Sequence, residues 1–239
     1  MLWGMAQITF LFPRLSRQQR NTRVLAWART LLQRLGVGLD VIGSPPQSGP
    51  MLLASNHISW LDIVVLLATC HCRFVSKADV RRWPLIGALA SGAGTLYVER
   101  ASRRDALRVV HHMTQALGEG DILAIFPEGT TGDGGPVLPF HANLLQAAIS
   151  ARAPLQAVAL QFFDGQAGTP SRAASYLGDE SLLGSIWRTL CARELCAVVA
   201  FGKAQLAGGR DRRTWGRDLR AEIEAMRSGL RSAERPVRG

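Results

Sequence analysis

Short apolar runs alternate with amphipathic segments along the chain, and this pattern predicts its secondary structure. Continuous apolar runs without polar alternation are typical of strands buried on both faces of a sheet. Apolar residues three or four positions apart indicate helices between those strands. The predicted strands are 37–42, 51–54, 73–76, 95–98, 121–126, 155–163 and 196–201, and the predicted helices are 60–68, 103–117, 140–151, 182–191 and 215–230.

This alternation predicts one α/β domain with a mixed, mostly parallel sheet that helices cover on both faces. We expect that domain at residues 37–205, preceded by apolar and amphipathic membrane-associating helices at 1–36. An arginine-rich amphipathic helix and tail should follow at 206–239. Sites in such sheets gather in the loops at strand ends, where His57, Arg100 and Glu128 all fall.

The first 36 residues combine an apolar start with a basic amphipathic helix. Residues 1–12 are apolar, and Pro13 ends that run before a cluster of arginines. The following stripe either packs on the body of the protein or lies in a membrane interface, and its arginines favour the interface. Twelve apolar residues are too few to span a bilayer. No small-residue cleavage site follows, so we expect no signal peptide, although the chain can also begin inside a longer anchor. The stripe consists of Val24, Ala28, Leu31, Leu32 and Leu35.

Composition narrows the possible partners. The chain has 239 residues, 47% of them hydrophobic, and a formal charge of +10 that comes mostly from arginine. A folded protein with such a surface attracts polyanions, either nucleic acid or an anionic membrane. Aromatic residues are only 7% of the chain and do not interleave with basic ones, so we expect a membrane surface and no nucleic acid. A non-catalytic basic protein that binds an anionic surface is the alternative of another class.

The cysteine pattern does not indicate a metal site or a disulfide. Cys70, Cys72, Cys191 and Cys196 contain no CxxC pair and no cluster at zinc-finger spacing. We therefore expect reduced thiols in a protein that faces the cytosol, with no metal and no cofactor.

One histidine and one aspartate offer acid–base chemistry. His57 follows the apolar run 51–54, and Asp62 lies at the start of the next predicted helix. An imidazole at a strand end, oriented by a carboxylate in the following helix, is a workable general base. The same two residues can also serve only as turn and cap residues, so the pair by itself leaves both interpretations open.

Four sequence blocks, in order, resemble those of the glycerolipid acyltransferases, the lysophosphatidic acid acyltransferase family. The segment from Asn56 to Asp62 (NHISWLD) resembles the first block, H-x4-D. The segment from Tyr97 to Arg100 (YVER) resembles the second, and that from Phe126 to Thr130 (FPEGT) resembles the third. Residues 155–160 fall where the fourth is expected, so the resemblance covers residues 40–205.

The resemblance implies an enzyme that moves a fatty acyl group from acyl-CoA or acyl carrier protein to a lysolipid hydroxyl in phospholipid biosynthesis. It implies His57 as the base and Asp62 as its orienting carboxylate. It implies that Arg100 pairs with an acidic acceptor group, and that Glu128, Gly129 and Thr130 bind the acceptor head group. The expected location is the cytoplasmic face of the inner membrane, peripheral or monotopic.

The acceptor has more than one candidate. The family's first candidate is 1-acyl-sn-glycerol-3-phosphate. In phosphate-acceptor enzymes arginine commonly follows the threonine of the third block, where this chain has Thr131. The segment from Glu128 to Gly134, followed by residues 137–140, is similar to that of bacterial relatives that acylate lyso-ornithine lipid or other lysolipids. These acceptors stay as alternatives.

Overall fold

The structure is a computed structural model that describes residues 7–82, 86–98, 103–165, 168–178, 180–192 and 194–232. Its strands are β1 Gly38–Ile42, β2 Met51–Ser55, β3 Arg73–Lys77, β4 Leu96–Val98, β5 Ile122–Ile125, β6 Leu155–Asp164 and β7 Leu195–Gln205. Its α-helices are α1 Arg17–Arg34, α2 Leu61–Thr69, α3 Ile86–Gly92, α4 Arg103–Gly118, α5 Gln146–Ala151, α6 Leu182–Cys191 and α7 Arg212–Ser232. Short 3-10 helices lie at Phe12–Arg14, Ala78–Arg82 and Ala142–Leu145, and a π-helical turn lies at Gln7–Leu11.

Within the described residues the strands form one sheet in the order β1-β7-β6-β2-β5-β3-β4. The five strands from β6 to β4 are parallel, and β7 pairs antiparallel with β6 while pairing parallel with β1. The predicted mixed, mostly parallel sheet is confirmed. Because the carboxyl ends of β2 and β5 meet at one edge, the loops that carry His57 and Glu128 are neighbours.

Helices cover both faces of the sheet, as predicted. Adjacent strand residues point to opposite faces, so Leu53 joins one buried cluster while Leu52 and Ala54 join the other. The Leu53 cluster packs under α1 and α2, and the Leu52 cluster packs under α4, α5 and α7. Burial of this kind on both sides explains why the strand sequences lack polar alternation.

Helix α1 packs its apolar stripe on the body of the protein. Ser16 and Gln19 form a capping box at its start, with the Gln19 N–H donating to Ser16 Oγ and the Ser16 N–H donating to Gln19 Oε1. Val24, Ala28 and Leu32 are buried in the cluster that includes α2. The arginines favoured a membrane interface for this stripe, and for these three residues that prediction is wrong, because they pack into the core of the protein.

A buried carboxylate ties α1 to the base of the sheet. Asp121, just before β5, pairs with both Arg17 of α1 and Arg73 of β3. The neighbouring His71 is partly buried, and burial, reinforced by the two arginines, lowers its pKa to about 4. This imidazole is therefore neutral at physiological pH and adds no third positive charge to the cluster.

Two predicted elements differ from those in the structure. The predicted helix 140–151 is a 3-10 helix followed by the short α5, and residues 140–141 are not helical. The predicted strand 196–201 extends to Gln205, because Ala204 and Gln205 pair with the first residues of β6. These extra residues are exposed or only partly buried, so the hydrophobic pattern does not predict their strand conformation.

Candidate active site

His57 and Asp62 form a direct pair at the carboxyl edge of the sheet. His57 Nδ1 lies 2.8 Å from Asp62 Oδ2. Asp62 is fully buried, and the His57 side chain keeps 17% of its surface exposed. With the Nδ1–H donated to the carboxylate, Nε2 carries the ring's free lone pair. The two residues predicted as base and orienting carboxylate are brought together.

The turn between β2 and α2 is built around the Asp62 carboxylate. Besides the imidazole, Asp62 Oδ2 accepts the backbone N–H of Ile58 at 2.6 Å and that of Ser59 at 2.9 Å. Three donors on one oxygen hold the chain in the reversal that a spacing of five residues requires. Asp62 therefore stabilises the turn and orients the histidine at the same time.

Two further contacts fix the position of His57. The side-chain amide of the preceding Asn56 donates to the Leu160 carbonyl at 3.0 Å and accepts the Leu160 N–H at 2.8 Å, which ties the loop to β6. The ring of Phe126 stacks on the imidazole, with centroids 3.9 Å apart and planes 9° apart. Phe126 follows β5, and Leu160 lies on β6. The two strands that flank β2 therefore both help to fix the position of His57.

Glu128 lies beside His57 but binds the protein backbone. Its side chain is 5% exposed; Oε1 accepts the His57 N–H at 2.7 Å, and Oε2 accepts the Leu138 N–H at 2.8 Å. Burial raises the pKa of Glu128, and the two backbone donors oppose that shift. Both carboxylate oxygens are thus occupied by main-chain groups, one in the loop after β2 and one in the loop after β5.

The residues after Glu128 form a tight turn and then reach the site. Gly129 adopts a φ of 73°, which a residue with a side chain rarely tolerates, and its N–H donates to the Phe126 carbonyl. Thr130 is exposed, whereas Thr131 is half-buried and its hydroxyl donates to the Tyr176 carbonyl. Arg100, predicted to meet an acidic acceptor group, lies outside the described residues.

An apolar cavity of about 320 Å³ opens beside His57. Its polar border includes His57, Thr131 and Arg23. Its volume lies in the range of small-molecule sites, about 300–1,000 Å³. Helices α1, α2, α3 and α6 supply most of its apolar wall, through residues such as Trp27, Val64, Leu67, Leu89 and Ile186.

A family model described as Acyltransferase matches residues 39–161, just over half of the chain. The chain belongs to the acyltransferase family. The matched region runs from β1 into β6 and contains His57, Asp62 and Glu128. This acyltransferase therefore carries its histidine–carboxylate pair within the part of the chain that defines the family.

Individual relatives agree with this assignment. The acyltransferase is 36% identical over 186 residues to a protein of Neisseria gonorrhoeae named 1-acyl-sn-glycerol-3-phosphate acyltransferase, covering 77% of this chain and 72% of that one. It is 39% identical over 173 residues to a Pseudomonas aeruginosa protein named lyso-ornithine lipid O-acyltransferase, covering 72% of this chain and 65% of that one. The predicted enzyme class is confirmed.

A solved structure shares the fold. The crystal structure of the 1-acyl-sn-glycerophosphate (LPA) acyltransferase PlsC from Thermotoga maritima matches with a TM-score of 0.71, covering 98% of this chain and 89% of that one. At 15% sequence identity, this likeness establishes a common architecture.

Sequence interpretation missed several residues that build the site of this acyltransferase. Asn56 and Phe126 stand inside the quoted blocks, but no role was predicted for them. The available clues were that Asn56 directly precedes His57 and that Phe126 stands two residues before Glu128. Among the described residues, no group of three or more His, Cys, Asp or Glu side chains is placed to hold a metal ion. None of the described helices is both long and apolar enough to cross a bilayer.

Proposed function

We propose that this acyltransferase moves a fatty acyl group from the thioester of CoA or of acyl carrier protein to the hydroxyl of a lysolipid. The observation that carries the proposal is the histidine–carboxylate pair opening on an apolar cavity. A polar base beside an apolar space suits a substrate that has a reactive head and a hydrocarbon chain.

The chemistry requires only the residues of this site. His57 Nε2 takes the proton of the acceptor hydroxyl as its oxygen attacks the thioester carbon. Asp62 keeps the imidazole in the correct tautomer and stabilises the imidazolium. When the tetrahedral intermediate collapses, the carbon–sulfur bond breaks and the imidazolium returns the proton to the sulfur. The products are an ester and a free thiol, and no covalent enzyme intermediate is needed because the thioester is already activated.

The cavity supports a place for the fatty acyl chain. Its walls are hydrocarbon side chains from four helices, and His57 lies at its border. A chain inside it would present its thioester carbon next to the imidazole while its methylene groups leave water, a gain of about 0.8 kcal/mol per methylene. We assign the cavity to the acyl group that is transferred.

Glu128 acts on the base and not on the acceptor, in this proposal. It was predicted to bind the acceptor head group, but both of its oxygens accept backbone N–H groups. We propose that Glu128 positions His57 by fixing its main chain, and that Gly129 supplies the turn this requires. Thr130 is exposed and stays a candidate for binding the acceptor head group, together with Arg100.

The first acceptor that we propose is 1-acyl-sn-glycerol-3-phosphate, in phospholipid biosynthesis. The second is lyso-ornithine lipid, and Thr131 favours it. Thr131 replaces a residue that is commonly arginine in enzymes with phosphate acceptors, and its hydroxyl is bonded to the Tyr176 backbone. A pocket without that cation loses a partner for a phosphate.

The location that we propose is the cytoplasmic face of the inner membrane, where the protein is peripheral or monotopic. Its lysolipid acceptor is a membrane component, and the charge of +10 suits an anionic leaflet. Residues 1–36 are proposed to contribute to membrane association, residues 37–205 to form the catalytic domain and residues 206–239 to form the C-terminal helix and tail.

A panel of acceptors tests this function. The purified protein is given one labelled acyl-CoA, or the same acyl chain on acyl carrier protein, with lysophosphatidic acid, lyso-ornithine lipid or another lysophospholipid. We expect formation of the diacyl product together with stoichiometric free thiol, and the preferred acceptor separates the two candidates.

Two outcomes would contradict the proposal. Binding of lysolipid without release of thiol from any donor would favour a non-catalytic membrane-binding protein. Thiol release that is independent of acceptor would indicate a thioesterase, in which water takes the place of the lipid hydroxyl.

A further inference from the structure

Helix α6 exposes an apolar face. Leu183, Trp187 and Leu190 have 79%, 69% and 46% of their surface exposed. Their spacing of four and three residues places them on one side of the helix. The opposite side is fixed to the protein, because Ser185 and Thr189 are fully buried and the Ser185 hydroxyl accepts the Trp60 indole N–H at 3.1 Å. The α6 face, as we call these three exposed residues, is therefore held pointing outward.

The α6 face is continuous with the cavity at the active site. Leu182 and Ile186, on the same helix, line that cavity. Ile63 of α2 lines it too and is 37% exposed. Apolar surface thus extends from the interior of the cavity, past its border, onto the outer side of α6.

Positive charge lies on another part of the same border. Arg23 of α1 is exposed and lines the cavity, and the exposed Arg20 precedes it by one helical turn. A surface with leucine and tryptophan on one side and arginines on the other matches a bilayer interface, where apolar side chains enter the acyl region and cations meet lipid phosphates.

We propose that the α6 face docks on an anionic lipid bilayer and places the mouth of the cavity against it. This inference rests on the proposed function, since it identifies the surface through which a lipid substrate enters. It gives α6 a part in membrane binding that is separate from the part proposed for residues 1–36.

Vesicle binding tests the α6 face. The variant L183Q/W187Q/L190Q is compared with the wild-type chain by co-sedimentation with vesicles of phosphatidylglycerol and phosphatidylethanolamine. We expect at least about a tenfold loss in partitioning, because three apolar side chains no longer enter the bilayer. The matched control is L107Q/L206Q, which replaces two exposed leucines away from the cavity and should bind as the wild type does.

Activity assays separate this inference from the proposed function. On a short-chain acceptor in solution the triple variant should keep the wild-type rate, and on vesicle-borne acceptor it should be slow. Unchanged vesicle partitioning of the triple variant would overturn the docking face, even if acyl transfer is intact. If the wild type sediments as a dimer and the triple variant as a monomer, the α6 face binds a second copy of the chain. That result would overturn the proposed docking on a bilayer.

A second inference comes from a buried arginine on α7. Arg227 is 2% exposed, and its guanidinium donates to the Gly135 carbonyl at 2.7 Å, the Gly134 carbonyl at 2.7 Å and Gln161 Oε1 at 2.9 Å. Burying a charged side chain is costly unless its donors find acceptors. Here two carbonyls of one loop and the Gln161 side chain accept from the two terminal nitrogens of the guanidinium.

Other residues of α7 hold the same loop. Arg231 donates to the Gly134 carbonyl at 2.5 Å. The Arg220 guanidinium donates to the Val137 carbonyl at 2.9 Å, and Glu224 Oε2 accepts the Val137 N–H at 2.6 Å. Residues 134–137, the clamped segment, are thus bonded to four side chains of one helix.

The clamped segment is joined to the base at both ends. On one side, the Gly132 N–H donates to the His57 carbonyl at 2.8 Å. On the other, the Leu138 N–H donates to Glu128 Oε2, whose partner oxygen holds the His57 N–H. Every step from α7 to the main chain of His57 is therefore a hydrogen bond or a short covalent connection.

We infer that Arg227 is a positioning residue that fixes His57 through the clamped segment. Helix α7 lies outside the 39–161 region that the family model covers, so this chain supports its catalytic loop with an element beyond that region. Arg231 reinforces the same contacts.

Kinetics of R227Q and R231Q test the clamp. Arg231 is only partly buried, so we expect R231Q to fold even if R227Q does not. We expect kcat to fall by about 10- to 100-fold in R227Q and less in R231Q, with little change in KM for the acyl donor, because a small misplacement of the base slows chemistry more than binding. R227K should recover part of the rate. R213Q, an exposed arginine of the same helix, is the control and should match the wild type.

Hydrogen exchange tests whether the effect passes through the clamped segment, while the fall in kcat at constant KM is the readout that a purely structural role would not change. In a folded R231Q, the amides of Val137 and Leu138 should exchange faster while the amides of the central strands do not. A folded variant with a lowered melting temperature and unaltered kcat would reduce Arg227 to a stabilising residue and overturn the inference.

Discussion

Replacing His57 with alanine is expected to lower kcat for acyl transfer by at least about 10³-fold. The variant lacks the group that takes the proton of the acceptor hydroxyl, and among the described residues that line the cavity the imidazole is the side chain with a basic nitrogen that can accept it. Rates are measured as labelled product formed under saturating acyl donor.

The fold should survive this substitution. His57 is partly exposed, and its main-chain bonds to Glu128 and Gly132 use backbone atoms that alanine keeps. The circular dichroism spectrum and the melting temperature of H57A should therefore be close to those of the wild type. The control is H112A, which removes an exposed histidine on α4, outside the site, and should leave kcat unchanged. Substantial residual turnover in a well-folded H57A variant would remove His57 from the role of base.

Asp62→Asn is expected to lower kcat by about 10²–10⁴-fold with a smaller effect on binding. An asparagine oxygen can still accept from Ile58, Ser59 and the imidazole, so the geometry of the turn is kept. What disappears is the negative charge that stabilises the imidazolium in the transition state. The effect should appear in kcat at saturating donor and acceptor, not in KM.

The matched control for this substitution is D218N, which neutralises a half-exposed carboxylate on α7. It should leave kcat unchanged. Turnover of D62N close to that of D218N would mean that Asp62 only shapes the turn, and that the imidazole needs no charged partner. A folded D62N with strongly reduced kcat supports the orienting role.

The order of elements could be predicted because it depends on local sequence. The apolar runs around Leu53 and Leu123 have no polar alternation, which is characteristic of strands with covered faces, and the structure buries them on both sides. The spacing of His57 and Asp62 predicted a pair, since five residues across a strand-to-helix turn allow a side chain to fold back. The structure joins them at 2.8 Å.

The role of Glu128 could not be predicted from the sequence. Its position after β5 placed it near His57, and a carboxylate there can equally bind a substrate or a main-chain amide. Which of the two occurs depends on where Leu138 and His57 direct their N–H groups, and that is set by the packing of β2 beside β5.

The sequence by itself determined the enzyme family, the sequence of strands and helices, and the two side chains that meet at the end of β2, because each is encoded within a few neighbouring residues. Only the tertiary structure decided the antiparallel insertion of β7, the bond between Asn56 and Leu160 and the support of the loop by Arg227. Those contacts join residues about a hundred positions apart or insert one strand between two others, and hydrophobic periodicity carries no information about partners at that distance.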